Sequence, residues 1–256
     1  MKTALIGYTG FVGSQLSTQY GFSDVYNSKN IDSIRDKTYD LIVCAAAPGA
    51  KWRANMFPSE DIAAIRSLLK HVGHVRAELC ILISTVDVYP DPVNVTEQTT
   101  ILADRLLPYG KHRLYLESQI QQIFPKHLIV RLPGLFGTGL KKNFIYDLIH
   151  NNTDLFPSPE STFQYYPTAR LWHDIALMRD RKLSLVNFAT EPIRVSDLVR
   201  YCLSAPLSKR VNSPPIQYDM HTIYATFFHR KGNYIYSARQ LLPMIKTFIL
   251  REKNTA

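Results

Sequence analysis

The chain has 256 residues, 46% of them hydrophobic, enough to bury a full core as one large α/β domain or as a nucleotide-binding domain with a smaller lobe. Thirty Lys and Arg against 21 Asp and Glu leave a net charge of +9, which favours anionic partners. No run of five like charges gathers it into a tail, so a phosphate-bearing small molecule is expected and nucleic acid is not.

Cys44, Cys80 and Cys202 are odd in number and lack C-x-x-C spacing, which argues against a disulfide framework or a zinc cluster. The first strand starts at once, leaving no room for a signal peptide, and no apolar stretch reaches eighteen residues. The expectation is a cytoplasmic protein with no membrane partner and no metal.

Lys2 to Ile6 reads as a buried strand running into Gly7-Tyr8-Thr9-Gly10-Phe11-Val12-Gly13. Gly7 permits a tight exit from the strand, Gly10 lets backbone approach a pyrophosphate, and Gly13 lets the next helix pack close to the sheet. The helix opening near Phe11 would point free N–H groups and its positive end at the anion. Gly7, Thr9, Gly10, Phe11, Val12 and Gly13 are therefore the expected cofactor turn.

A short strand at Asp24 to Tyr26 ends at Asn27, Ser28 and Lys29, where an adenosine ribose is usually read. Donors and a positive charge there, in place of a carboxylate, tilt the cofactor to NADP, with NAD as the alternative. Tyr39 to Ala47 is an apolar central strand whose small end, Ala45, Ala46 and Ala47, leaves space for the cofactor. A helix follows from Pro58, with Ser59 as its expected cap and Gly73 as its stop. His71 and His74 straddle that stop with no third ligand.

The next strand, Glu78 to Ser84, delivers Ser84, Thr85, Asp87 and Tyr89 to its carboxyl end, the ligand side of a doubly wound sheet. A long helix then opens with Pro108-Tyr109-Gly110-Lys111-His112-Arg113. Tyr109 and Arg113 are one turn apart on one face. A nearby cation is expected to lower a phenol pKa by about one to three units from near 10. Lys111 lies on another face, and Tyr115 with Gln119 would lack a cation.

Gly7-x-x-Gly10-x-x-Gly13, Ala45-Ala46-Ala47, Ser84-Thr85 with Val88-Tyr89, and Tyr109-Gly110-x-x-Arg113-Leu114-x-x-Glu117 occur in that order. Together they resemble the short-chain dehydrogenase/reductase superfamily, in its extended branch of nucleotide-sugar epimerases, dehydratases and reductases. The resemblance is close over residues 1–140 and continues through Val130 to Gly137, where Pro133 is counted among the cofactor-binding residues. It implies a Rossmann-type doubly wound parallel sheet over residues 1–133, and over 134–256 a small substrate lobe with elements returning to the core.

It further implies Tyr109 as general acid/base and Ser84 or Thr85 as the orienting hydroxyl, with Asp87 and Tyr89 near the substrate. Arg113 departs from the motif, which has lysine there; arginine keeps the charge but does not readily release a proton.

Past Gly134 aromatics and prolines multiply. Asn143, before a helix, and Tyr166 and Arg170 are candidate substrate residues by the same analogy, whereas Trp172 reads as core. A strand at Ser184 to Phe188, a helix from Arg194, a loop from Ser204 to Pro215, and a last helix from Ser237 with Pro243 inside complete the chain. The expected function is an NADP-preferring oxidoreductase or epimerase acting on a nucleotide-sugar, compatible with a homodimer. The competing reading is a dinucleotide-binding sensor or scaffold that has lost its chemistry.

Overall fold

The computed structural model describes residues 1–203 and 214–255. Most of the expected loop from Ser204 to Pro215 lies outside the described residues.

In chain order the elements are β1 (Thr3–Ile6), α1 (Phe11–Gln19), β2 (Asp24–Tyr26), β3 (Thr38–Cys44), α2 (Lys51–Met56), α3 (Pro58–Val72), β4 (Arg76–Thr85), β5 (Val93–Val95), α4 (Pro108–Ile123) and β6 (His127–Leu132). Then come β7 (Gly134–Phe136), α5 (Phe144–His150), β8 (Thr162–Phe163), β9 (Tyr165–Pro167), α6 (Leu171–Asp180), β10 (Leu185–Asn187), β11 (Ile193–Arg194), α7 (Val195–Leu203), β12 (Asp219–Met220) and α8 (Ala238–Thr255).

The chain divides into two compact units. Met1–Asp91, Thr99–Arg131 and Ala169–Val186 form the first; Pro92–Gln98, Leu132–Thr168 and Asn187–Ala256 form the second. The chain passes from the first unit to the second after Arg131, residues 169–186 return to the first, and residues 92–98 belong to the second.

The main sheet has six strands in the order β10-β6-β4-β3-β1-β2, and β1 pairs in parallel with β2 and with β3, as β3 does with β4. The order reverses at β1, so the carboxyl ends of β1 and β3 flank a topological switch point, where α/β sheets open their ligand crevice. The continuous apolar runs of β1, β3 and β4 are explained by burial on both faces: Ala4, Ile6, Ile42, Cys44, Cys80 and Leu82 sit in one core with Ile65 of α3 and Leu116 and Ile120 of α4, and the alternate residues Leu5, Leu41, Val43 and Ile81 are buried on the opposite face. Cys44, Cys80 and Cys202 are free and buried, and burial pushes the Cys44 thiol up to about 11.

α3 starts differently from the expectation. Phe57 holds the cap position with no side-chain cap bond, and Pro58 takes the first turn, where its missing N–H costs nothing. Ser59 therefore lies inside the helix.

The second unit has its own core, in which Phe144, Ile145 and Leu148 of α5, Leu198 and Val199 of α7, and Leu241, Ile245 and Phe248 of α8 converge. α8 runs through Pro243 for 18 residues. The unit also holds small two-stranded sheets, β7 with β9, β8 with β11 and β5 with β12.

Candidate functional site

The glycine turn follows β1 at the switch point. Gly7 has φ +92°, and a Cβ there would lie 2.6 Å from the Ala45 carbonyl oxygen; at Gly13 it would lie 2.0 Å from the Gly7 carbonyl oxygen. Both positions are glycine because backbone meets backbone.

Gly10 is different. It is exposed, and an added Cβ would meet only the Gly7 oxygen, at 3.3 Å. The fold alone makes a weaker demand for glycine there, whereas a close-approaching ligand makes a strong one. Gly10 is also the cap residue of α1, with no side-chain cap bond and no acidic residue in the first turn, so the helix end suits an anion. Thr9 is exposed and Phe11 and Val12 are half-buried along this edge, with the half-buried Ala45, Ala46 and Ala47 after the neighbouring strand. A dinucleotide pyrophosphate fits this cradle.

Asn27, Ser28 and Lys29 directly follow β2. The Asn27 side-chain oxygen accepts from the Lys29 N–H at 2.8 Å, and its amide nitrogen donates to the Tyr8 hydroxyl at 3.2 Å, which ties this turn to the glycine turn. Ser28 and Lys29 are exposed. Pro133 is buried directly after β6 and belongs to the second unit.

Tyr109, in the first turn of α4, is 8% exposed, and the Arg113 guanidinium carbon stands 4.4 Å from its ring centroid. The expected lowering of the phenol pKa is overturned. Burial pushes it up, and the Asp87 charge adds to that; the Arg113 charge and hydrogen bonding to Thr85 and Arg113 only partly offset the rise. Tyr109 is a phenol that holds its proton.

Arg113 is 2% exposed and bound fork to fork by Asp61 of α3: Nη1 donates to Oδ2 and Nη2 to Oδ1, each at 2.9 Å. Nη2 also donates to the Pro48 carbonyl, and His112 Nδ1 lies 2.8 Å from Asp61 Oδ2. Burial works against the Asp61 carboxylate, yet the bonds from Arg113 and His112 win and hold its pKa below the usual value. Arg113 Nε is buried and has no hydrogen-bond partner among the described residues.

Ser84 and Thr85 part company. Ser84 is buried and donates to Glu117 Oε1. Glu117 in turn takes two bonds from Arg131, Nε at 3.0 Å and Nη2 at 2.6 Å, and Arg131 Nη1 donates to the Tyr89 hydroxyl at 2.7 Å. This buried network fastens α4 to β4 and β6, so Ser84 and Tyr89 have structural partners. Thr85, half-buried at the end of β4, accepts from the Asp87 N–H at 3.2 Å and is the hydroxyl that acts on Tyr109.

Three supporting residues were given no role in the sequence reading. A Cβ on Gly110 would lie 2.0 Å from the Asp87 carbonyl oxygen, so the 85–88 turn rests directly on the start of α4. Asn55 Oδ1 accepts from the Tyr109 N–H at 2.9 Å, and Lys51 Nζ lies 2.6 Å from Asp87 Oδ1. Gly110, next to Tyr109, was the one with a signal in sequence; the short helix carrying Lys51 and Asn55 had none.

The candidate substrate residues have other visible uses. Asn143, of the second unit, caps α5 by accepting from the Ile145 and Tyr146 N–H groups, with φ +109°. Tyr166, of the same unit, is wholly buried and packs on Phe188 and Tyr236. Arg170 is exposed before α6, in the first unit, 3.8 Å from Asp174. Trp172 is half-buried, not part of the buried core, and packs on Tyr20, just after α1, at 4.2 Å.

Among the described residues no three His, Cys, Asp or Glu gather as a metal site, and no helix is long and apolar enough to cross a membrane.

Neither a protein-family profile nor a curated protein sequence matches the chain. Solved structures do. One is TunA, a NAD-dependent NDP-hexosamine 5,6-dehydratase involved in tunicamycin biosynthesis, 16% identical over 100% of this chain and 98% of that one, with a TM-score of 0.75. Another is the UDP-glucuronic acid 4-epimerase of Bacillus cereus, in complex with a fluorinated UDP-sugar and NAD, at 15% identity, full coverage of both chains and a TM-score of 0.74. A third is dTDP-4-dehydrorhamnose reductase from Yersinia enterocolitica, at 14% identity over 99% of this chain and 100% of that one, with a TM-score of 0.72. The chain thus has the fold of the NAD-dependent nucleotide-sugar epimerases and dehydratases, a fold that also carries a reductase.

Proposed function

We propose that this chain binds a nicotinamide dinucleotide along the carboxyl ends of β1, β2 and β3 and acts as an oxidoreductase or epimerase at a hydroxyl or keto carbon of a nucleotide-activated sugar. The observation that carries the reading is the pairing of an open anion cradle at Gly10 with a buried, proton-holding phenol at Tyr109, both in the first unit. The similar structures support it by what they bind and act on.

A nicotinamide held there would supply the hydride chemistry, giving or accepting a hydride. The chain's own residues do the rest. Gly10 and the first turn of α1 take the pyrophosphate. Thr85 orients the substrate oxygen, and Tyr109 donates its proton to that oxygen in reduction, becoming phenolate; in oxidation it takes the alcohol proton only after it has itself been deprotonated. Arg113, fixed by Asp61 over the ring, stabilises the phenolate as a permanent charge. Asn27, Ser28 and Lys29 offer donors and a cation to a 2′-phosphate, which favours NADP over NAD.

Calorimetry with NADPH and NADH, followed by turnover across a panel of UDP-, dTDP- and GDP-sugars, tests the reading. Binding of NADPH in preference to NADH, with turnover lost in Tyr109→Phe, is expected. A specific observation also favours the sensor or scaffold reading: the cation at the motif position is locked to Asp61 and cannot release a proton. Dinucleotide binding with no turnover on any sugar, and activity appearing only in Arg113→Lys, would establish that reading.

A further inference from the structure

Position 113 supplies a fixed charge, yet a second cation stands at the same site. α2 starts at Lys51, after the Pro48-Gly49 break that ends β3. Three bonds fasten this segment around Tyr109: Arg113 donates to the Pro48 carbonyl, Asn55 accepts from the Tyr109 N–H, and Lys51 meets Asp87 at 2.6 Å. Asp87 also lies within reach of the Thr85 hydroxyl, at 3.5 Å, and its backbone carbonyl rests on Gly110, the residue after Tyr109. The Lys51 side chain is 43% exposed and that of Asp87 18%, so solvent reaches this pair, while Arg113 and Asp61 are closed off.

We propose that Lys51 is a positioning residue of this site: its ammonium holds and neutralises the carboxylate of Asp87, whose backbone lies against Gly110 and whose side chain reaches Thr85, and so governs the pH at which Tyr109 exchanges its proton. This rests on the reading of Tyr109 as the acid/base. Every charged neighbour of the phenol enters the balance. On α4 itself, Arg113 opposes the rise and His112 is bound to Asp61; from α3 comes Asp61, already matched by Arg113; from the turn after β4 comes Asp87; from α2 comes Lys51, with Arg53 engaged by Glu60; and the turn before α4 carries Asp104 and Arg105, both exposed. Asp87 is the one anion among them that raises the phenol, and Lys51 is the cation in contact with it. Without the ammonium, an unscreened carboxylate would penalise the phenolate further.

The test is a titration of the full chain labelled at tyrosine Cζ, read by carbon NMR without cofactor, with the Tyr109 signal assigned by its loss in Tyr109→Phe. Lys51→Met is expected to move the Tyr109 titration upward by about one pH unit, roughly tenfold in proton affinity. Lys51→Arg should leave it near the parent value. Asp87→Asn should move it down, and in that background Lys51→Met should have no effect. Thermal melts confirm that each variant is folded, and Lys51→Gln replaces Lys51→Met if the latter is not. The proposal is overturned if the Tyr109 titration stays in place in Lys51→Met, or shifts equally when Asp87 is already Asn. If no nucleotide-sugar turns over with either dinucleotide, the proposed function fails, while this titration still decides the role of Lys51.

Discussion

Arg113 shows how one buried charge dictates its surroundings. Its guanidinium is closed off from water and survives there because Asp61 meets both ends of the fork. Removing that carboxylate leaves an uncompensated buried cation, so Asp61→Asn is expected to cost about 3–5 kcal/mol, measured by urea unfolding at neutral pH. The pH dependence has a definite sign. The Asp61 pKa is lower in the fold than in the unfolded chain, so its contribution is present above about pH 4 and is lost as pH falls through the lowered value. That acid-side loss should vanish from the stability profile of Asp61→Asn. Tyr109 carries the opposite shift, being raised by burial first. Turnover that needs a protonated phenol should therefore persist to more alkaline pH than an ordinary tyrosine allows, as a kcat/KM profile would show, and Tyr109→Phe should abolish turnover while leaving dinucleotide binding in place.

At the scale of elements, glycines separate what the fold requires from what a ligand requires. Gly13→Ala would drive a methyl into the Gly7 carbonyl, and a loss of about 2 kcal/mol or more is expected in a thermal or urea melt. Gly10→Ala meets only one oxygen at tight contact, so it should melt close to the parent while NADPH binding weakens about tenfold or more by calorimetry. The strand–glycine–helix pattern was legible in sequence because each requirement is local: an apolar run, three glycines at set intervals, a helix start. The same holds for Tyr109 one turn before Arg113 on α4. The direction of the Tyr109 shift was not legible, since the spacing announces the cation but not the burial that outweighs it. α2 was missed for a related reason. Six residues, Lys-Trp-Arg-Ala-Asn-Met, carry no apolar period, and only contacts with α4 and with Asp87 give them a role.

For the whole molecule, the +9 charge selects anions without choosing among them, and the melting temperature reads which one binds. At equal concentrations NADPH should raise it more than NADH, the stabilisation reaching about 2.7 kcal/mol at a hundredfold excess over Kd. Equal rises would remove the argument drawn from Asn27, Ser28 and Lys29.

The amino-acid sequence determined by itself the doubly wound sheet, the glycine turn and the candidacy of Tyr109, because these depend on hydrophobic period and on spacing along one chain. Tertiary structure alone decided which hydroxyl is committed elsewhere, Ser84 to Glu117, and which remains beside the phenol, Thr85. It alone paired Arg113 with Asp61, 52 residues away, and brought Lys51 to Asp87 across 36. Charge balance in a buried site is set by distance through space, and separation along the chain does not encode it.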